Sequence, residues 1–283
     1  MMEAIITTYL CPCFSFRRKK MAKSDVHEKA AQGFGQAATV YEKSRPSYPS
    51  EMVEWMKSLC QNPDIVIDLG AGTGKLTRLL GPLGARELVA IEPVAAMREN
   101  LKKIPIITKI VDGSAEHIPF DDHTVDMIVC GQSFHWFATH RSLAEFNRVL
   151  KPNGVLVLIW NKPDDSKIQE WLQDIKKYVE SLKPEGVAEY KEGDWKNAFD
   201  NQNYFSALQN KQFNHHQQVT RDLMINRFLS MSYIAALSPE EKTKVVEELN
   251  RMFDNVDEIR DSPEIDAHHT TEVFWSSPLN SSS

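Results

Sequence analysis

Val66-Ile67-Asp68-Leu69-Gly70-Ala71-Gly72-Thr73-Gly74-Lys75-Leu76 is the stretch on which the fold turns. The apolar run Ile65 to Ile67 has the character of a strand buried on both faces. It enters three alternating glycines, and Lys75 to Leu80 reads as the first turns of a helix. A strand, a glycine turn and a helix start make a nucleotide-binding corner, because glycine lets backbone approach a ligand and the helix end offers free N–H groups. Two well-known versions fail. The dinucleotide fingerprint needs a glycine where Lys75 stands, and the P-loop needs glycine at 69 and a hydroxyl at 76, where Leu69 and Leu76 stand.

The pattern present is Asp68-Leu69-Gly-x-Gly-x-Gly, which resembles the first motif of class I S-adenosylmethionine (SAM)-dependent methyltransferases. Three further blocks follow in the order of that family. Ile91-Glu92-Pro93 ends a second strand, Glu87 to Ile91, eighteen residues beyond Gly74. An acidic side chain at such a strand end accepts ribose hydroxyls in nucleotide folds. Ile106 to Val111 reads as the third strand, and Asp112-Gly-Ser114-Ala115-Glu-His-Ile-Pro-Phe120 after it resembles the second block of the ubiquinone-biosynthesis-like branch. Arg148-Val-Leu-Lys151-Pro-Asn-Gly154 resembles the motif that turns the chain into the fifth strand, with Asn153 for its first glycine. The flanking Arg45-Pro-Ser-Tyr48-Pro and Ser230-Met-Ser-Tyr233 resemble the trans-aconitate methyltransferase-like group of small-molecule methyltransferases.

The resemblance implies an α/β, Rossmann-like, seven-stranded, mostly parallel sheet with helices on both faces and a helical cover from the C-terminal part. Residues 25–283 would form this domain, with the cover and a sixth strand in 163–265 and the last strand at 270–275, antiparallel to the sixth. SAM would be the methyl donor, with no metal. Its contacts would be Tyr41, Asp68, Gly70, Ala71, Gly72, Thr73, Gly74, Glu92, Ser114, Ala115 and Gln132. Serine stands at 114 where family members commonly have aspartate. The fourth strand, Val125 to Cys130, ends in Gly131-Gln132-Ser133-Phe134-His135-Trp136-Phe137. Strand carboxyl ends are ligand ground in open α/β sheets. His135 is the candidate general base and Arg45 the candidate anion clamp. Phe134, Trp136 and Phe137 are candidate walls for a sulfonium cation, or core.

The remaining elements follow from caps and periodicity. Ser50 is placed to cap a helix over Glu51 to Leu59, and helices are expected over Arg141 to Leu150, Ser166 to Leu182, Thr220 to Met231 and Pro239 to Phe253. Phe205 to Val219 reads as the sixth strand. Trp171, Arg221, Arg227 and Tyr233 are candidates to line the cover, and the sequence singles out none of them. Asp121-Asp122-His123 reads as a solvated turn, since adjacent turn residues point apart and no further ligand follows at a metal spacing.

Composition bounds the partners. The net charge of −6, without a basic stripe beyond Arg17 to Lys20, disfavours nucleic acid. No apolar run reaches the roughly 20 residues of a membrane span. Cys11, Cys13, Cys60 and Cys130 form no paired metal spacing and no disulfide framework, which suits the cytoplasm. Residues 1–24 read as a disordered or alternative-start extension before Met21; acylation of Cys11 and Cys13 beside the basic run is the other reading. The expected activity is methyl transfer to a small-molecule acceptor, a carboxylic acid in the first instance. An aminopropyl transferase on the same fold, which would want paired acids after the fourth strand, and a silent SAM-binding module are the alternatives. Neither the acceptor nor the oligomeric state is written in the sequence.

Overall fold

The computed structural model describes residues 45–167, 169–183, 193–260 and 264–279. Tyr41 and the extension 1–24 lie outside the described residues. The apolar runs form one seven-stranded sheet of β1 (Ile65–Leu69), β2 (Glu87–Ile91), β3 (Lys109–Val111), β4 (Val125–Gly131), β5 (Leu150–Pro163), β6 (Gln209–Thr220) and β7 (Glu264–Ser276). The order across the sheet is β3-β2-β1-β4-β5-β7-β6. β1 to β5 are parallel, and β7 runs antiparallel between β5 and β6. The order reverses between β1 and β4, so their carboxyl ends diverge into a crevice, the usual ligand position in such sheets.

Alternate residues of the parallel strands feed two cores, because successive side chains point to opposite faces. Ile67, Leu69, Ile128, Cys130 and Leu158 pack with Leu143, Phe146 and Val149 of α3 (His140–Val149). Val66, Met127, Val129 and Val157 pack with Met52, Val53 and Met56 of α1 (Ser50–Met56). α2 (Ala95–Leu101) and Ile104 close over Ala71 and Ala90. A third core lies in the C-terminal part. There α4 (Glu170–Ser181), α5 (Arg221–Leu229) and α7 (Pro239–Asp254) pack on Val219, Ile265 and Ala267 of β6 and β7, with the short α6 (Ser232–Ala235) and α8 (Asp257–Arg260) between. This is the expected helical cover.

Several local expectations are corrected. Lys75 to Leu80 is not the start of an α-helix; it is a turn followed by 3₁₀ turns at Thr77–Leu79 and Gly81–Leu83. Gly81-Pro82 explains this, since proline supplies no N–H to continue an α-helical ladder. Ser50 does not cap α1. It is the first helical residue, behind an extended Pro49, and the helix ends at Met56. β3 keeps only Lys109–Val111 of the expected run. Lys151 to Gly154 does not precede the fifth strand but bulges within it, between the pairs Val125↔Leu150 and Met127↔Val155. Lys151 is drawn there by Asp126, 2.8 Å away. Elsewhere the caps hold. Thr220 accepts from Leu223 N–H, and Ser238 with Glu241 forms a complete capping box.

Gly74 sets how closely the loop after β1 sits on α2. It has φ +86°, and a Cβ there would lie 2.2 Å from Ile104 Cδ1 and 2.9 Å from Leu101 Cδ2. Gly84 has φ +70° with nothing within 4 Å of such a Cβ. Gly74→Ala should therefore cost the left-handed penalty plus a clash, about 2–4 kcal/mol, and Gly84→Ala only about 1 kcal/mol. Urea unfolding of both variants checks this; equal midpoints would refute the clash.

Candidate active site

Four loops meet at the carboxyl ends of β1, β2, β3 and β4. Gly70 and Ala71 both donate to Ile91 O, at 2.8 and 3.2 Å, tying the glycine loop to the end of β2. Gly70 has φ +72°, and a Cβ there would meet Ser133 Cβ at 2.7 Å. Ser133 Oγ in turn donates to Leu69 O at 2.7 Å, so the loops after β1 and β4 are in contact. Gly72 differs. At φ +59° its missing Cβ faces open space, with only Met97 Sδ at 4.0 Å. The loop therefore offers bare backbone on the side where a ligand would lie.

Glu92 is 5% exposed. Its Oε2 accepts from Gly72 N–H at 2.9 Å and its Oε1 from Val94 N–H at 2.8 Å. A carboxylate oxygen can accept more than one hydrogen bond. Arg98, which the sequence did not single out, donates to Glu92 O, Pro93 O and the Asp112 carboxylate, joining the ends of β2 and β3. Beyond it Ser114 is exposed and Ala115 buried, with Ser114 bridging to His117. Gly70 to Gly74, Glu92, Ser114 and Ala115 thus occupy adjoining loops on one end of the sheet.

Asp68 lies behind this surface. It is 1% exposed and accepts from Thr77 Oγ1 at 2.6 Å. Burial, assisted by the Glu92 charge and opposed by the Thr77 bond, raises its carboxyl to about 7. Burial and the Asp68 charge likewise push the Cys130 thiol up. Asp68, a SAM contact in the sequence reading, is held within the fold by Thr77.

Gln132 and His135 part company. Gln132 sits at φ +56°, which a non-glycine residue adopts only when its surroundings impose it. Its N–H donates to Ile159 O at 2.8 Å and its side-chain amide to Asn161 O at 3.1 Å. His135 lies in the 3₁₀ turn Phe134–Trp136, its ring 4.9 Å from that of Trp136. Burial lowers its imidazole to about 4. Phe134 is core, packed on Phe146 and Trp195, while Trp136 is exposed. Phe137 stands beside Gly70 and remains a candidate wall.

Arg45 belongs to a second group of residues on the same end of the sheet. The strap Pro46 to Pro49 is held by Asn161, whose side-chain amide donates to Ser47 O at 2.9 Å and Pro46 O at 3.4 Å. Thr271 Oγ1 donates to Asn161 Oδ1 and lies 3.4 Å from His215 Nδ1. His215 Nε2 is 3.1 Å from Ser47 O, and its ring stacks on His269 at 5.4 Å. Lys75 donates to Arg45 O, and Arg45 Nη2 reaches Ser230 O at the end of α5. Arg227, in the last turn of α5, is lowered to about 10 by burial and by the charge of Arg45. No described carboxylate offsets it. His269 is 1% exposed, its Nδ1 has no hydrogen-bond partner among the described residues, and burial with the Arg227 charge brings it to about 3. Arg221 is elsewhere, paired with Asp254. Trp171 packs on Phe253 inside the cover.

Asp121 to His123 behave as a turn. Asp122 pairs with Arg148 at 2.6 Å, while His123 Nδ1 turns to Leu150 O at 2.9 Å.

Comparison with known proteins adds the following. The methyltransferase-domain family model matches residues 67–158. An uncharacterized methyltransferase-like protein of Schizosaccharomyces pombe is 31% identical over 238 residues, 83% of this chain and 91% of that protein. A second uncharacterized methyltransferase of that yeast is 32% identical, over 85% of this chain and 95% of its own length. A solved structure from Anaeromyxobacter dehalogenans, assigned to the type II methyltransferases, has the same fold, with a TM-score of 0.63 at 19% identity over 83% of this chain and 97% of that one.

The Asp68 carboxyl predicts how stability varies with pH. Its ordinary value is 3.8, and in the fold it is about 7. Between those values the folded chain keeps a proton that the unfolded chain has released, so this group's contribution to stability falls as pH rises from about 4 to about 7 and is flat above. Asp68→Asn should remove that decline. Urea midpoints of both proteins at pH 5 and pH 8 test it: the wild type should lose more between the two than the variant.

Proposed function

Because the chain belongs to the class I SAM-dependent methyltransferases, we propose that it moves the SAM methyl group to a carboxylate oxygen of a small organic acid, held by Arg45 and Arg227. The observation that carries this reading is Arg227, partly buried on the cover side of the strand ends, depressed to about 10 by burial and by the nearby Arg45 charge, with no described carboxylate to offset it. Holding the Arg227 guanidinium partly out of water carries a cost that an anionic ligand would relieve. The resemblance of the flanking segments to the trans-aconitate methyltransferase-like group points to the same acceptor class.

The residues fit the donor. Open backbone at Gly72 gives room for it, and the Glu92 carboxylate at the end of β2 is of the type that accepts ribose hydroxyls. When bound, SAM supplies a methyl carbon on a positively charged sulfur. An acceptor oxygen attacks that carbon, the carbon–sulfur bond breaks, and its electron pair neutralises the sulfur. A carboxylate needs no base for this, only alignment and exclusion of water. His135 agrees with that chemistry. At about 4 it is neutral at physiological pH and too weak to deprotonate a phenol or an ammonium group effectively. Its role in this reading is to pack and orient. Gly131-Gln132-Ser133-Phe134 offers no acids, which disfavours aminopropyl transfer.

Calorimetric titration with SAM, followed by methyl-release assays on a panel of small carboxylic acids, phenols and amines, tests the proposal. Glu92→Ala should weaken SAM binding by about 1–3 kcal/mol, and Gly72→Val should abolish it. If both bind as the wild type does, the donor site is misplaced.

On the acid that turns over, Arg45→Ala and Arg227→Ala should each lower kcat/KM by about 1.5–3 kcal/mol while SAM affinity stays unchanged, and lysine should rescue poorly. His135→Ala should change the rate by less than about tenfold and leave the pH profile as it was. Loss of about 10²-fold or more with a phenol or amine acceptor would overturn the carboxylate reading.

A further inference from the structure

The antiparallel ladder of β6 and β7 carries two histidine pairs, His215↔His269 and His216↔His268. Consecutive residues of a strand point to opposite faces, so the first pair faces inward beneath the strap and the second faces the other side of the sheet. Asp266 stands two residues before His268 and therefore shares its face. There His268 Nε2 lies 3.3 Å from Asp266 Oδ2, and His216 Nδ1 lies 4.0 Å from Asp266 Oδ1. One ligand atom from each of His216, Asp266 and His268 lies within 4.8 Å of the other two. Donors around a tetrahedral zinc ion are about 3.3 Å apart, given bonds of roughly 2.0–2.1 Å. The three side chains are thus spaced for one ion after small rotations. Asp266 Oδ1 is buried and accepts no hydrogen bond among the described residues, which is costly for a carboxylate oxygen and which a cation would correct.

We propose that His216, Asp266 and His268 bind a divalent cation of the zinc type, on the sheet face opposite the arginine pair. Two imidazole nitrogens and one carboxylate oxygen suit zinc better than the all-oxygen magnesium or calcium. Three protein ligands leave one coordination position for water or an exogenous group. Asp164, whose N–H donates to His268 O at 3.1 Å, adds negative charge nearby. The ion would lock β6 to β7 at the register that also sets the His215–His269 stack. This site does not depend on the identity of the acceptor.

The test uses the full-length chain without an affinity tag, stripped with chelator and titrated calorimetrically with zinc chloride, and with cobalt(II) chloride followed by visible absorption. One zinc per chain is expected, with a tetrahedral cobalt spectrum lacking a thiolate charge-transfer band. His216→Ala, His268→Ala and Asp266→Asn should each weaken binding about tenfold or more while SAM titration remains that of the wild type. Zinc should raise the melting temperature of the wild type and not of the His216→Ala/His268→Ala double variant. Absence of zinc binding overturns the proposal. So does binding that survives the double variant, or a thiolate band, which would assign the metal to cysteines.

Discussion

A buried carboxylate at the end of β2 holds the glycine-loop end of the sheet together. Glu92 is shielded from water and receives N–H bonds from Gly72 and Val94. A charge in that position is tolerated only while its donors stay put, since charge-assisted bonds replace the lost hydration. The glycine loop is therefore fixed by Glu92 through the Gly72 N–H. Burial, with a smaller contribution from the same charge, raises Asp68, and Arg98 anchors the Glu92 backbone to the loop after β3. The three strand ends behave as one unit because their polar groups answer to one another.

The cover side is assembled on a different principle. Asn161, at the end of β5, holds the strap through Pro46 and Ser47, β7 through Thr271, and the loop after β4 through Gln132. One neutral side chain and its carbonyl thus bring together four segments remote in sequence. His215 and His269, both lowered by burial and by the Arg227 charge, are neutral imidazoles, so among the described residues the charge of this region is that of Arg45, Lys75 and Arg227.

The parallel half of the fold was legible because burial on both faces writes continuous apolar runs. β2 occupies Glu87–Ile91 as read, and β4 differs by a single residue. The glycine loop was legible because few residues but glycine tolerate left-handed backbone, and Gly70, Gly72 and Gly74 all adopt it. What failed was local competition: Gly81-Pro82 against a helix, and the pull of Asp126 on Lys151 against a clean turn. The cover was hardest. Arg227 could not be told from Arg221 until the fold showed one facing Arg45 and the other paired with Asp254. His215 and His269 were overlooked; His268-His269 lies before the expected last strand at 270–275, and only the observed Glu264–Ser276 brings it opposite His215-His216. Their partners are fixed by register, which no local window contains.

β6 has a further consequence. It is the last strand of the sheet, twelve residues long, and among the described residues no strand pairs with its outer side. Its sequence, Gln209-Asn-Lys-Gln-Phe-Asn-His-His-Gln-Gln-Val-Thr220, contains one lysine, no acid and no proline. Long sheet margins are ordinarily guarded by charge, proline or bulges, because unpaired N–H and C=O groups recruit any extended chain. Amide-rich strands are especially prone to self-stacking. Lys211, whose ammonium lies over the Trp55 and Phe213 rings, is thus the one charged side chain available within this strand to oppose intermolecular zipping along the border.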